Sequence, residues 1–245
     1  MSGHSKWNNI KRKKEKTDSQ RAKIFTKMGR EITVAVREGG PDPASNGKLR
    51  DVIAKAKANN VPSDNIDRII KKASGSDKTD YENIVYEGYG PGGVAVIVET
   101  LTDNRNRTAA DVRHHFDKFG GNLGTTGCVS FMFNQKGIIG IDMEGKDEDK
   151  VLEDCLEAGA ADVEFSDGSA EVSTAPNDLR TVREALEAMG YEFDRAEVEY
   201  VPDNYVTLTG EDKLALMAKL LENLEDNDDV QDVWHNLENE EDLPE

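Results

Sequence analysis

The fold of this chain is decided by residues 136–200, KGIIGIDMEGKDEDKVLEDCLEAGAADVEFSDGSAEVSTAPNDLRTVREALEAMGYEFDRAEVEY. Four segments have the character of strands and two have the spacing of helices. The strands are predicted at Ile138–Met143, Asp162–Phe165, Ala170–Thr174 and Tyr191–Tyr200. The helices are predicted at Asp147–Ala158 and Asp178–Met189. The resulting order, βαββαβ with a hairpin in the middle, predicts a ferredoxin-like domain.

The segments on either side of this domain predict a second α+β domain. Before it lie two strands around a glycine turn, then a helix and a further strand, predicted at Asn83–Glu87, Val94–Leu101, Asn104–Phe119 and Cys128–Phe133. After it come a helix, Glu211–Leu224, and a strand, Val230–Trp234, that lack partners of their own. We therefore expect the last two elements to complete the sheet of the earlier segment, which makes residues 136–200 an insertion.

The first part of the chain predicts three helices. Apolar residues at helical spacing run from Asp18 to Gly39, from Gly47 to Asn59 and from Pro62 to Gly75, with glycine or proline at the boundaries. The predicted fold class is therefore α+β. Its parts are a three-helix domain (1–78), a discontinuous α+β domain (79–135 plus 201–245) and the inserted ferredoxin-like domain (136–200), with an acidic tail from Glu238 onward.

Charge is distributed unevenly along the 245 residues. The formal net charge is −18, but residues 1–78 hold 19 Lys and Arg against 9 Asp and Glu, a net of +10. The remaining residues hold 12 basic and 40 acidic side chains, a net of −28. Such asymmetry indicates a nucleic-acid-binding end joined to an acidic body. The alternative is a dipolar protein whose two parts attract one another.

The basic segment contains the first group of candidate binding residues. Lysines and arginines supply charge for phosphates, and Trp7 lies among them in a polar stretch where it can stack on a base. The predicted nucleic-acid-binding residues here are His4, Lys6, Trp7, Lys11, Arg12, Lys13, Lys14, Lys16, Arg21, Lys23, Lys27 and Arg30. The alternative for Trp7 is that it packs onto the helical bundle.

A second group of candidates is Arg105 and Arg107, in the segment DNRNRT at a helix start. Cations at this end oppose the helix dipole, so an anionic partner is one reason to keep them there. The alternative is that Asp103 caps the helix and both arginines pair with local acids.

No catalytic, cofactor or metal motif is evident. Gly88, Gly90 and Gly93 match G-x-G-x-x-G, but strands are predicted on both sides, which favours a glycine turn over a dinucleotide site. His114 and His115 are adjacent and diverge on a helix, and Cys128 and Cys155 lack metal-site spacing. We expect a protein that is not an enzyme and uses no cofactor.

Localisation in the cytosol is predicted from two negative features. No stretch approaches the roughly 20 apolar residues of a membrane span, and residues 1–16 are polar and basic. The two cysteines are expected to be reduced thiols.

Four segments together resemble the YebC/PmpR family over nearly the whole chain. They are GHSKW at residue 3, IFTKMGREI at 24, YEGYGPGG at 86 and DNRNRT at 103. The resemblance implies a three-domain α+β protein with an N-terminal helical bundle and no catalytic residues, and a bacterial-type cytosolic member. Bacterial members are often labelled transcriptional regulators that bind DNA. Others are assigned to the ribosome and to relief of stalling, and mitochondrial relatives activate translation of cytochrome c oxidase.

Three functions remain in competition at this point. The favoured one is a ribosome-associated translation factor that binds ribosomal RNA, because no recognition helix for duplex DNA is evident and a −28 body would be repelled by a duplex. The second is a DNA-binding transcriptional regulator that uses the same surface. The third is an acidic protein-interaction scaffold. No membrane partner is expected.

Overall fold

The computed structural model describes residues 18–75, 79–166 and 168–244, and they form an α+β protein. The helices are α1 (Asp18–Gly39), α2 (Gly47–Ala58), α3 (Ser63–Ala73), α4 (Arg105–Lys118), α5 (Glu148–Ala158), α6 (Leu179–Ala188) and α7 (Glu211–Glu225). The strands are β1 (Glu82–Tyr89), β2 (Ala95–Thr102), β3 (Asn122–Leu123), β4 (Phe133–Asp142), β5 (Asp162–Ser166), β6 (Ser169–Thr174), β7 (Arg195–Pro202) and β8 (Val230–His235). The predicted fold class is confirmed.

The described residues fall into two compact units. One contains 133–203, without 167, and the other contains 18–132, without 76–78, together with 204–244. The helical bundle and the first sheet thus share a unit, and the division of the chain into three domains stays a prediction.

Helices α1, α2 and α3 pack around a core that includes Ile32, Leu49, Ala56 and Ile66, all buried. Asn46 joins the first two helices. Its side chain accepts a hydrogen bond from the amide of Leu49, which caps α2, and donates to the carbonyl of Ala35 in α1 at 2.7 Å. Because the apolar stripes meet as the sequence spacing indicates, the three predicted helices are confirmed to within a residue or two.

The sheet of the same unit has the order β3-β1-β2-β8 and is antiparallel. Helices α4 and α7 contribute Phe116, Met217 and Leu220 to the core that covers it. Strand β8 pairs with β2, with Trp234 opposite Ile97. The prediction that the last helix and strand complete this sheet is therefore confirmed.

The strand predicted at Cys128–Phe133 is wrong. That segment is a loop with a short 3-10 turn, Ser130–Met132, and strand pairing begins only at Phe133. The buried carboxylate of Glu87 accepts hydrogen bonds from the amides of Gly127, Val129 and Ser130, at 2.7 to 2.9 Å. Burial alone would raise the pKa of Glu87, but these backbone hydrogen bonds outweigh it and the pKa lies below its ordinary value. Amides committed to a side chain cannot join a sheet ladder.

The glycine-rich segment is a turn between strands β1 and β2, as predicted. It contains the short turn Pro91–Gly93, in which Gly92 has a φ of 69°, and no helix follows it. Gly88 has a packing role, because a Cβ there would lie 2.6 Å from the carbonyl oxygen of Asn122. The glycines of the G-x-G-x-x-G match therefore form the turn between β1 and β2 and allow close packing within the sheet.

The unit of 133–203 has the antiparallel order β5-β6-β4-β7, with a core that includes Ile139, Ile141, Val172 and Leu186. Its element order is the predicted βαββαβ. The predicted start of the last strand at Tyr191 is wrong, since β7 begins at Arg195. Tyr191 instead donates its hydroxyl to Asp154 at 2.8 Å, which directs the segment before β7 toward α5.

Candidate nucleic-acid interface

The predicted binding residues divide into those the structure describes and those it does not. His4, Lys6, Trp7, Lys11, Arg12, Lys13, Lys14 and Lys16 lie outside the described residues. Arg21, Lys23, Lys27 and Arg30 lie on α1, and Arg105 and Arg107 lie in the first turn of α4. Both helices belong to the same compact unit, so the positions of their cations can be compared directly.

Cations of α1 contact an acidic turn at the end of α7. Lys23 forms an ion pair with Asp226 at 2.6 Å, and the Nζ of Lys27 donates to the backbone carbonyl of Glu225 at 2.8 Å. Their neighbour Arg21 is exposed. Asp226 is 55% exposed, so water screens its contact with Lys23. Exposed pairs of this kind exchange easily, and a phosphate can replace the carboxylate.

Arg30 is held more firmly. Its guanidinium donates to the carboxylate of Asp229 at 2.6 Å and to the carbonyl of Leu101 at 3.0 Å, and it lies over the ring of Tyr81. The Arg30 side chain is only 15% exposed. These contacts join α1 to the first sheet, which gives Arg30 a structural role independent of any ligand.

Asp229 is the centre of a buried polar cluster. Besides Arg30, it accepts hydrogen bonds from Arg107 and from the hydroxyls of Thr108 and Thr102, while its own side chain is 4% exposed. Burial would raise the pKa of Asp229, but the hydrogen bonds from Thr108, Arg107 and Arg30 outweigh it and the pKa lies below its ordinary value. The charge of Asp229 is thus stabilised by two arginines that come from different helices.

The start of α4 differs from the predicted cap. Asn104, and not Asp103, is the cap, since its side chain accepts from the amide of Arg107 at 3.1 Å. Arg107 pairs with both Asp103 and Asp229, and the hydrogen bond to Asp229 is the largest cause that raises its pKa. Arg105 is exposed and forms no ion pair with any described residue. Of the two arginines, only Arg105 is available to a phosphate without loss of an internal contact.

The acidic partners were missed by reasoning from the sequence. Asp226, Asp229 and Asp232 lie in a run of carboxylates that resembles a solvated surface, yet each contacts a cation of α1 or α2. Lys55 of α2 meets Asp232 at 3.6 Å. The sequence feature that could have revealed these ion pairs is the uneven charge distribution. Its alternative explanation was that the basic and acidic parts of the protein attract one another.

The structure also shows the surroundings of the two adjacent histidines and the two cysteines. The His114 and His115 rings lie 5.7 Å apart edge to face, and burial followed by the charge of His114 lowers the pKa of His115. Cys128 and Cys155 are free thiols whose pKa values are raised by burial, that of Cys155 to about 11. Within residues 18–75, 79–166 and 168–244, no cluster of His, Cys, Asp or Glu is placed to hold a metal ion.

None of the helices in the described ranges combines the length and the apolar character needed to cross a membrane.

The matches between this chain and known proteins extend over both compact units. The family profile described as TACO1/YebC protein N-terminal domain matches residues 5–76, and that described as TACO1/YebC second and third domain matches 81–237. A relative from Acetivibrio thermocellus, named "Probable transcriptional regulatory protein", is 61% identical over 238 residues, which cover 96% of this chain and 98% of that protein. A relative of the same name from Finegoldia magna is 60% identical over 241 residues, 98% of this chain and 100% of that protein.

A solved structure also matches. The crystal structure of a conserved hypothetical protein, Aq1575, from Aquifex aeolicus has a TM-score of 0.84 and 46% sequence identity, over 96% of this chain and 97% of that chain. The similarity in sequence is therefore accompanied by similarity in fold.

Proposed function

The chain belongs to the TACO1/YebC family, and from this premise we propose that it is a cytosolic nucleic-acid-binding regulator of gene expression without catalytic activity. More specifically, we propose that it is a translation factor that binds ribosomal RNA and relieves stalled ribosomes. The coarser proposal agrees with the name that the relatives from Acetivibrio thermocellus and Finegoldia magna carry.

One observation carries the proposal: the net charge of +10 in residues 1–78 of a chain whose remainder is −28. Cations that contact phosphates release condensed counterions, and this release supplies much of the free energy of nucleic-acid binding. An acidic remainder keeps the rest of the protein away from the same polyanion. The basic segment is therefore the proposed contact surface, with His4, Lys6, Trp7 and the cations from Lys11 to Lys16 at its start.

RNA is favoured over duplex DNA by the exposed face of α3. In a helix-turn-helix protein, the N-terminal residues of the second helix contact base edges in the major groove. Here the first turn of α3 exposes Asp64, whose carboxylate repels phosphates and accepts from few base groups. The combination of cations with Trp7 suits looped or single-stranded RNA instead.

The second candidate, a DNA-binding transcriptional regulator, is supported by the arrangement of α2 and α3. Only residues 59–62 separate them, which is the length of turn found in helix-turn-helix motifs. The name of the relatives agrees with it. An acidic interaction scaffold is the third candidate, supported only by the −28 remainder.

A binding protein can accelerate peptide-bond formation without a catalytic side chain. Orienting two reactants removes translational and rotational freedom before the reaction, and this alone can lower a barrier by several kcal/mol. Nascent chains that position their reactants poorly, such as proline runs, are then the proposed targets.

The proposal is tested by reconstituted translation of a message with a proline run, from purified components and without a transcription step. We expect the protein to shorten the pause, and substitution of Lys11, Arg12, Lys13 and Lys14 by Gln to abolish the effect. The matched control neutralises four exposed lysines outside the basic segment: Lys136, Lys146, Lys213 and Lys219. Unchanged pausing together with tight, sequence-specific binding to promoter DNA would establish the transcriptional function instead.

A further inference from the structure

A groove of about 680 Å³ lies between α2 and α3 in the helical bundle. Its floor consists of Ile53 from α2 and Ile66 and Ile70 from α3, of which Ile66 is buried and the other two are half-buried. Pro41 and Pro43 line it as well. The volume lies within the range of about 300 to 1,000 Å³ that is typical of ligand sites.

Three cations line the groove. Arg50 and Lys57 lie seven residues apart on α2, about 10 Å along the helix axis, and Lys71 comes from α3. In the described part of the chain, none of the three forms an ion pair, and Asp67 is the single carboxylate among the lining residues. Three cations above an apolar floor make a surface that is complementary to an anion with a flat apolar part.

We propose that this groove binds a single-stranded segment of nucleic acid, with an unstacked base against the isoleucines and its neighbouring phosphates against Arg50, Lys57 and Lys71. The inference rests on the proposed function and adds to it a site outside the cations predicted from the sequence. Bases that leave a stack are held between aromatic or apolar side chains in other proteins. Ser63 and Ser74, which also line the groove, can form hydrogen bonds with the edge of a base.

A nucleic acid fits this groove better than the other occupants. The first 17 residues of the chain are themselves basic, so the cations would repel them. An acidic amphipathic helix would match the charge, but helix-in-groove binding uses anchors at i, i+3, i+4 and i+7, about two turns of apolar contact. The floor of this groove contains only three isoleucines, an apolar area that matches the face of one base better than two turns of a helix.

The test uses the full chain and a fluorescein-labelled single-stranded RNA of about 12 nucleotides, a length within the site sizes of single-strand binders. The variant combines Arg50→Gln, Lys57→Gln and Lys71→Gln. The matched control combines Lys48→Gln, Arg68→Gln and Lys72→Gln, which removes the same charge from exposed positions on the same two helices.

We expect the groove variant to bind the RNA at least tenfold more weakly than the control variant. The slope of log K against log salt should flatten by about 2, since each phosphate contact on a single strand contributes about 0.7. Ile70→Ala should reduce the difference in affinity between the intact RNA and the same RNA with its bases deleted, and the control variant should retain that difference. Unfolding in urea confirms that each variant is folded.

Three outcomes would overturn the inference. If both triple variants bind equally, the groove is not the site, and the proposed function survives as long as the Lys11–Lys14 variant loses binding. If a polyglutamate of equal length binds the groove and the RNA does not, the occupant is an acidic peptide. If the wild-type chain binds neither the RNA nor ribosomes from lysate, the proposed function itself fails.

Discussion

Two sets of cations on the same helical bundle have different surroundings. On α1, Lys23 and Arg30 point toward the acidic turn that follows α7, and Arg30 shares the buried carboxylate of Asp229 with Arg107. Around the α2–α3 groove, the cations form no ion pair with the described residues. A count of lysines and arginines therefore does not measure how many cations are available to a polyanion. Cations neutralised inside the fold contribute to stability, and those without an ion pair among the described residues are the ones available to a polyanion.

The substitution with the largest expected effect on stability is Asp229→Ala. Removing the carboxylate leaves the charge of Arg30, whose side chain is 15% exposed, without its counterion and takes from Arg107 one of its two acidic partners. We expect this to cost about 3–5 kcal/mol of the free energy of unfolding. Asp226→Ala, which breaks an exposed pair in the same turn, is the control and should cost less than about 1 kcal/mol. Urea unfolding of both variants measures the difference. Equal losses would show that the Asp229 cluster does not hold α1.

Acid should weaken the same cluster. The pKa of Asp229 is lower in the folded chain than its ordinary value of about 3.9, so its contribution to stability is complete above that value. It is lost as the pH falls through the depressed pKa, because the protonated carboxyl no longer pairs with Arg30 and Arg107.

The measurement is the free energy of unfolding from pH 7 to pH 2 for the wild type and for Asp229→Asn, which cannot titrate at this position. The gap between the two should narrow below about pH 4. Other carboxylates whose pKa values are lowered, Glu87 and Asp154, titrate in both proteins and cancel. If the difference in unfolding free energy between the two proteins does not change with pH, the charge of Asp229 does not contribute to its interaction with Arg30 and Arg107.

The comparison also explains what could be predicted from the sequence. Helices α1 to α3 and the βαββαβ order depend on periodicity within short segments, and both were predictable. The segment Cys128–Phe133 has strand-like composition, but its amides at Val129 and Ser130 donate to Glu87, which lies about 40 residues earlier. Contacts over such separations leave no trace in local patterns.

The same limit applied to the candidate site. Lys23, Lys27 and Arg30 could be recognised as cations, but the groups that accept their hydrogen bonds lie about 200 residues later. The groove was missed because Arg50, Lys57 and Lys71 are 7 and 14 residues apart in the sequence and converge only when α2 and α3 pack together.

Trp7, in the segment before α1, can likewise contribute either to stability or to binding. If Trp7 stacks on a base, Trp7→Ala should cost about 1–3 kcal/mol of RNA affinity and leave the melting temperature unchanged. If Trp7 packs on the bundle, the melting temperature should fall and the affinity at low temperature should stay the same. Both quantities are measured on one variant, and Trp7→Phe is the control because it retains a stacking ring.

The smallest expected effect is the coupling between Lys23 and Asp226. A double-mutant cycle of Lys23→Ala and Asp226→Ala should give about 0.2–1 kcal/mol, because both side chains are partly exposed and long side chains lose freedom on pairing. In 1 M salt the screening length falls to about 3 Å, so the coupling should decrease. The corresponding cycle for Arg30 and Asp229 should retain most of its larger coupling, since Asp229 is buried.

The size of the coupling free energy between Lys23 and Asp226 determines which role Lys23 has. A weak, salt-sensitive coupling means that a phosphate can displace Asp226 at little cost, so Lys23 belongs with the binding cations despite its internal contact. A coupling above about 2 kcal/mol that persists in high salt would instead resemble that of a buried pair. Lys23 would then join Arg30 among the residues that hold α1 in place, and the binding surface of the described bundle would reduce to the groove and the remaining exposed cations.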